Sequence, residues 1–255
     1  MTEESLLTHT DARGVATVTL NRPAVHNAFN DDLIGRLDRA FSKLGADPGV
    51  RVIVLAGNGK SFCAGADLNW MKAMVSYSEE ENVADSSRLA DMLYKIYSCP
   101  KPTLARVHGA ALAGGVGLLS ACDMVVAADH AKFAITEVKL GLIPANIALY
   151  LVPSIGVRAV RRYGMTGDRF DAAEARRIGL IDEIVPTERL DAAVAGIVDA
   201  LLAAGPQAVV ECKKLIDHVA GPITERMRQD TAKWLARVRV GEEAQSRMHA
   251  FLNKR

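Results

Sequence analysis

The 255-residue chain has only four cysteines, Cys63, Cys99, Cys122 and Cys212, and they are widely scattered. None belongs to a CxxC pair or a Cys/His cluster at metal-ligand spacing. This excludes a legible zinc site or disulfide framework, so we expect reduced thiols in a cytoplasmic protein and no metal. No charge of one sign dominates either. Lys plus Arg is 31 and Asp plus Glu is 30, a net charge of +1, so neither a nucleic acid nor a membrane is expected as the main partner. The longest apolar run, Gly109 to Cys122, is glycine-rich and falls short of the ~20 residues that span a bilayer. The opening MTEESLLTHTDARG is polar and acidic, unlike a secretory signal. No internal period marks a solenoid.

What is present suits a globular protein. Apolar residues are 49% and charged residues 24%, and the length allows one well-filled core, or a core with a smaller helical appendage. GVATVTLNRP reads as a strand of β-branched residues stopped by proline. NDDLIGRLDRAFSKLG reads as a helix, with Asn30 as N-cap, Asp31 and Asp32 at the positive end, a buried stripe at Leu33, Leu37, Ala40, Phe41 and Leu44, and Gly45 as the stop. VRVIVLAG reads as a buried strand and NGKSFCAGADLNW as a turn-rich loop. A helix ending at Tyr97 precedes Pro100 and Pro102. Strands follow at TLARVHG, MVVAA and KFAIT. From Pro153 onward the pattern is almost all helical, with Asp171 capping and Gly179 closing one helix. Alternating strands and helices followed by helices alone predict an α/β core with a helical C-terminal region.

The stretch ALAGGVGLLSACD places Gly114, Gly115 and Gly117 at the start of an apolar helix, where glycine costs about 0.5–1 kcal/mol relative to alanine. Three readings stand side by side. The glycines pack tightly against a sheet. Or GVGLLS nearly fits a dinucleotide fingerprint with Glu137 about twenty residues on, although Ser120 replaces the last small residue. Or the helix start offers free N–H groups to an anion, with a second donor from the small residues Ala64, Gly65 and Ala66 in the FCAGADL loop.

The segments VTLNRPAVHNAF, SFCAGADL, KPTLARVHGAALAGGVGL, ACDMVVAAD, AKFAITEVKLGLIP, RRYGMTGDRFDAAEARRIGLIDEIVP and AFLNKR run in this order over nearly the whole chain. Together they resemble the crotonase superfamily of enoyl-CoA hydratases and isomerases. The resemblance implies a spiral of ββα turns over residues 1–195 and a helical region over residues 196–255 that trimerises, with hexamers built from two trimers. It implies an acyl-CoA thioester substrate, coenzyme A being part of the substrate and no separate cofactor being needed. It puts oxyanion donors on the backbone N–H groups of Ala66 and Gly114. It lays CoA along Ala24, Val25, Ala64, Asp67 and Leu68, and brings Phe251 and Lys254 of a neighbouring subunit to the adenine. Trp70 and Met71 are expected in the acyl-pocket wall or the core.

Familiar hydratases of this superfamily carry two glutamates. Here the first position is Gly117 and the second is Glu137, for which a helix-start or surface acid is the alternative reading. A lone glutamate serves a hydratase that deprotonates water and returns the proton to C2, with Asn146 holding the water unless it is merely a helix cap. It also serves a Δ3,Δ2-enoyl-CoA isomerase. A non-catalytic acyl-CoA-binding or RNA-binding member is the alternative of another class. Finer similarity points to hydratases of branched enoyl-CoAs in leucine or terpenoid degradation, such as those acting on methylglutaconyl-CoA or isohexenylglutaconyl-CoA. A distal carboxylate would then need a cation, for which Lys72 and Arg88 are candidates, although both also read as surface charges. His26 is expected to be packed or at the surface, and His108 to make a structural hydrogen bond.

Overall fold

The computed structural model describes residues 4–220 and, beyond them, residues 226, 230, 233–235, 241–244 and 246–247. Two sheets organise it. The larger has six strands: β1 (Leu6–Thr10), β2 (Val15–Leu20), β3 (Val52–Gly57), β5 (Thr103–Val107), β7 (Met124–Ala128) and β10 (Glu183–Val185), adjacent in that order. Only β1 runs antiparallel to its neighbour. The smaller contains β4 (Ser61–Cys63), β6 (Ala110–Leu112), β8 (Lys132–Ala134) and β9 (Arg169–Asp171), with β4, β6 and β8 parallel. Successive strands alternate between the sheets: β3 then β4, β5 then β6, β7 then β8. The chain thus climbs as a spiral of repeated ββα turns, as expected from the resemblance.

Helix α1 (Asp31–Ala46) forms as its sequence dictates. The Asn30 side chain accepts the Leu33 N–H at 3.0 Å, and Leu33, Leu37, Phe41 and Leu44 are buried. Gly45 does not stop it. The helix runs one residue further, and the missing side chain leaves room for Pro100, whose Cδ would lie 3.2 Å from a Cβ at Gly45. Helix α2 (Leu68–Met74) occupies the end of the stretch expected to be a loop. Helix α3 (Glu79–Tyr97) begins with a Ser78–Glu81 capping box and ends where expected. Helix α4 (Gly114–Ala121) starts later than its apolar run suggests, because β4 and β8 recruit Ala110–Leu112 as a strand between them. Helix α5 (Ala145–Thr166) breaks at Gly156, whose φ of 74° leaves helical geometry. Helices α6 (Ala172–Ile178), α7 (Leu190–Ala203) and α8 (Pro206–Val219) follow. Asp171 caps α6 through the Glu174 N–H, and Gly179 ends it at φ 89°.

The parallel strands are apolar on both faces because both faces are covered. One face meets α1, α3 and α4 through Leu37, Phe41, Met92, Leu93 and Leu119. The other meets α7, where Leu190, Val194 and Val198 cover Val52, Val54, Leu104 and Val126. Strand β1 and the three-residue strands β9 and β10 escape sequence reading. Beyond Leu6, β1 is exposed and mostly polar, and three residues are too few to show alternation. The four cysteines are free thiols.

Candidate active site

Strands β4 and β6 are paired in parallel, Cys63 beside Ala111, so the loops leaving them emerge at one edge of the small sheet. Gly65 adopts φ 89°, and a Cβ there would lie 3.0 Å from Ala113 Cβ and 3.6 Å from Gly114 N. The loop carrying Ala66 therefore packs directly on the start of α4. Ala113 turns the chain into that helix at φ 48° and ψ −119°, a conformation that costs a non-glycine residue on the order of 1–3 kcal/mol. Among the described residues, neither the Ala66 nor the Gly114 N–H donates to a protein acceptor. Phe29 pairs with the flanking Gly65 O (2.7 Å) and Asp67 N–H (2.8 Å) instead. Two neighbouring amides, one at the positive end of a helix, are thus free to bind a negative oxygen.

The glycine cluster serves packing as well. A Cβ at Gly114 would lie 2.6 Å from Phe29 Cε2, at Gly115 2.3 Å from Cys63 O, and at Gly117 2.3 Å from Ile147 Cγ2. The space that a dinucleotide loop would leave open is filled by protein. Gly117 also explains the missing carboxylate, because Ile147 occupies the volume a glutamate side chain would enter. Gly117→Glu is expected to lower stability by about 1–3 kcal/mol through overpacking. Adding Ile147→Ala should recover part of that loss, as a double-mutant cycle of urea midpoints would show.

Ala66 and Gly114 open onto a cavity of about 420 Å³ that is also lined by Ala64, Leu68, Trp70, Glu137 and Asn146. Phe29, Met71, Met74, Leu89, Ile143 and Ile147 make most of the remaining wall apolar. Glu137 starts a 3-10 turn, Glu137–Leu140, directly after β8. Its Oε2 is buried with no hydrogen-bond partner. Burial pushes its carboxyl above the usual carboxylate range, opposed only by a hydrogen bond from its own backbone N–H. Glu137 thus does stand at a helix start, but it is not a solvated surface acid.

Other expected residues fall around this cavity in different ways. Ala24 and Val25 lie exposed on a turn outside it, tied to Ala64 by the Ala64 N–H to His26 O bond of 3.0 Å. Leu68 is 74% exposed at the cavity edge. Asp67 is buried and its carboxylate is already engaged: it accepts from Arg22 Nη2 at 2.8 Å and caps α2 through the Asn69 N–H. It shapes the loop, and its side chain does not line the cavity. Asn146 is not a helix cap, since Pro144 holds that position. Its side-chain nitrogen donates to Ser86 O and Oγ, both at 3.0 Å, and braces α5 against α3. Lys72 is exposed, and Arg88 pairs with Asp31 and Asp85. Neither lines the cavity, nor does any other Lys, Arg or His among the described residues. His26 is exposed with Nδ1 3.0 Å from Ser61 Oγ, and His108 Nε2 lies 2.9 Å from Gly59 O. Phe251 and Lys254 lie outside the described residues.

Two contributors were not anticipated. Asn27 is fully buried at φ 56°. Its Nδ2 donates to Asn58 O, Ser61 O and Phe62 O, and its Oδ1 accepts the Arg22 N–H at 2.8 Å. It pins β4, and hence the Ala66 loop, to the chain entering α1. Asn27→Ala would leave these buried groups unpaired and is expected to cost about 1–3 kcal/mol, measurable as a lower urea midpoint. The other is Asp85, buried on α3 and lining the cavity. Its helical spacing to Met92 and Ile96 puts it on the inward face, a signal its charge obscured. Burial raises its carboxyl pKa even though Arg88 opposes the shift.

Comparison with known proteins agrees with this geometry. The profile of the family described as enoyl-CoA hydratase/isomerase matches residues 10–255. The enoyl-CoA hydratase EchA19 of Mycobacterium tuberculosis is 34% identical over 243 residues, covering 93% of this chain and 90% of that protein. The peroxisomal Delta(3,5)-Delta(2,4)-dienoyl-CoA isomerase of Arabidopsis thaliana is 30% identical over 267 residues, covering 100% of this chain and 95% of the relative. The crystal structure of an enoyl-CoA hydratase from Shewanella pealeana superposes with a TM-score of 0.94 at 38% identity, over 98% of this chain and 94% of that one. With fold, free amide pair and buried glutamate in place, this chain belongs to the enoyl-CoA hydratase/isomerase family of the crotonase superfamily.

Proposed function

We propose that this enzyme adds water across the C2=C3 bond of a 2-enoyl-CoA, with the Ala66 and Gly114 amides as oxyanion donors and Glu137 as the single acid–base group. The observation that carries this reading is the desolvated Glu137 carboxylate, its Oε2 without a partner, lining the same cavity as two acceptor-free amides. Glu137 takes a proton from water as the water oxygen bonds to C3. The π electrons move to make an enolate, whose oxygen charge falls on the two N–H groups. Glu137 then returns the proton to C2 and is regenerated as the carboxylate. Fixed amides that bind the enolate oxygen more strongly than the ground-state carbonyl lower the barrier.

The cavity volume accommodates a branched acyl chain. A carboxylated one such as methylglutaconyl would meet no cation among the described lining residues, so we assign an uncharged acyl group. The blocked position at Gly117 supports a second reading. A single base can take the C2 proton of a 3-enoyl-CoA and return it at C4, as an isomerase does. Supplying 2-enoyl-CoA and 3-enoyl-CoA separately and following the conjugated chromophore separates the two. Hydration consumes conjugation, and the hydratase reading fails if only the 3-enoyl substrate reacts and gains it. A trimer, or a hexamer of two trimers, is the assembly this reading expects. It is supported by exposed apolar side chains on and near α5, among them Ile143, Leu149 and Met165, and sedimentation velocity tests it.

A further inference from the structure

The cavity has two chemically distinct walls. The reacting groups come from the ends of β4, β6 and β8. A second wall comes from α3, which contributes Asn82, Asp85 and Ser86, with Trp70 of α2 beside it. The hydration chemistry uses none of these side chains. Asp85 is 6% exposed at its side chain, and Arg88 Nη2 donates to its Oδ1 at 2.7 Å. No aligned donor reaches Asp85 Oδ2 among the described residues. Trp70 Nε1–H is buried and likewise has no aligned acceptor, though it lies close enough to the Asp85 carboxylate to favour its charged form. Asn82 and Asn146 spend their N–H groups on backbone carbonyls and Ser86 Oγ, which leaves their oxygens as acceptors. The wall is therefore rich in acceptors, with the Trp70 indole N–H and the Ser86 hydroxyl as its unspent donors among the described residues.

An alkyl tail against this wall would bury the accessible Asp85 Oδ2 and leave the indole N–H without an aligned acceptor, the kind of loss that strongly rejects a substrate lacking the matching polar group. A carboxylate tail would face Asp85 with only neutral donors, the indole N–H and the Ser86 hydroxyl, to offset the repulsion. A hydroxyl both donates and accepts. We propose that the Asp85–Trp70 wall is a specificity subsite for a neutral hydrogen-bond-donating group, typified by a hydroxyl, carried on the acyl chain. The hydroxyl proton points to Asp85 Oδ2 and its oxygen receives Trp70 Nε1–H. Arg88, which is not among the cavity-lining residues, holds Asp85 Oδ1. This deepens the hydratase reading and rests on it for the placement of the acyl chain.

The test uses the full-length enzyme and acyl-CoAs matched in length but ending in methyl, hydroxymethyl or carboxylate, across a series of chain lengths. Binding of the saturated thioesters is measured by calorimetry, and kcat/KM is measured for the corresponding 2-enoyl-CoAs. The hydroxyl-tailed ligand is expected to bind at least about tenfold tighter than the methyl-tailed one at its best length, with the carboxylate weakest. Asp85→Asn and Trp70→Phe should each shrink the hydroxyl-to-methyl ratio. Because the ratio is read within each enzyme, a general loss of folded protein cancels. Asp85→Asn should also narrow the penalty on the carboxylate tail. A ratio near one at every length, a ratio unmoved by both variants, or tightest binding of the carboxylate would overturn the subsite. If no 2-enoyl-CoA is hydrated while the binding ratios hold, the hydratase reading fails and the subsite stands.

Discussion

Glu137→Gln is expected to lower kcat by about 10²–10⁴-fold with little change in KM, because it removes the proposed proton-transferring group and keeps the shape of the site. The wild-type pH profile carries the same signature. In the proposed hydration Glu137 acts first as a base, so kcat/KM should fall as pH drops through its folded pKa. Burial raises that pKa, so the acid limb should lie above the range of an ordinary carboxylate. Stability runs the other way. A carboxyl whose pKa is raised on folding binds more protons in the native than in the unfolded state, so wild-type stability declines as pH rises through the window from the ordinary to the raised value. At neutral pH, Glu137→Gln should therefore be more stable than wild type while nearly inactive. Thermal unfolding of both proteins on each side of that window checks the sign. Equal activity of the two proteins on every enoyl-CoA would instead favour a non-catalytic acyl-CoA binder.

Gly114→Val is expected to abolish useful turnover. Its Cβ alone would lie 2.6 Å from the Phe29 ring, which is 1% exposed and unable to retreat. The start of α4 must shift, and the Gly114 N–H moves with it. Loss of one oxyanion donor costs ~2.7–4 kcal/mol in the barrier. The loss should fall on kcat rather than KM, since the donor binds the enolate oxygen more strongly than the ground-state carbonyl. Urea unfolding of the same variant separates this from misfolding. Retained stability with normal kinetics would remove Gly114 from the site.

Much of this architecture is legible in local chemistry. Asn30 caps α1, Asp171 caps α6 and Pro100 follows the end of α3, because capping, turn geometry and proline's missing N–H act over a few residues. The glycine-rich start of α4 and the small residues of the Ala66 loop also stand out, since each offers backbone N–H groups without side-chain cover. What stays hidden depends on partners distant in sequence. Strand β6 looks like helix until β4 and β8 claim it. The pairing of the Asp67 carboxylate with Arg22 spans 45 residues and cannot be read locally. Asp85 looks like a surface charge until α3 is turned inward.

The chain's own sequence of short-range preferences determined the alternation of strands and helices, the family likeness and the lone Glu137, since these depend on residue type and spacing alone. Only the tertiary structure decided that Ile147 fills the place of a second glutamate, that no Lys, Arg or His among the described residues lines the cavity, and that Asp85 does. Excluded volume and burial are properties of neighbours brought together by folding, and no local stretch of sequence contains them.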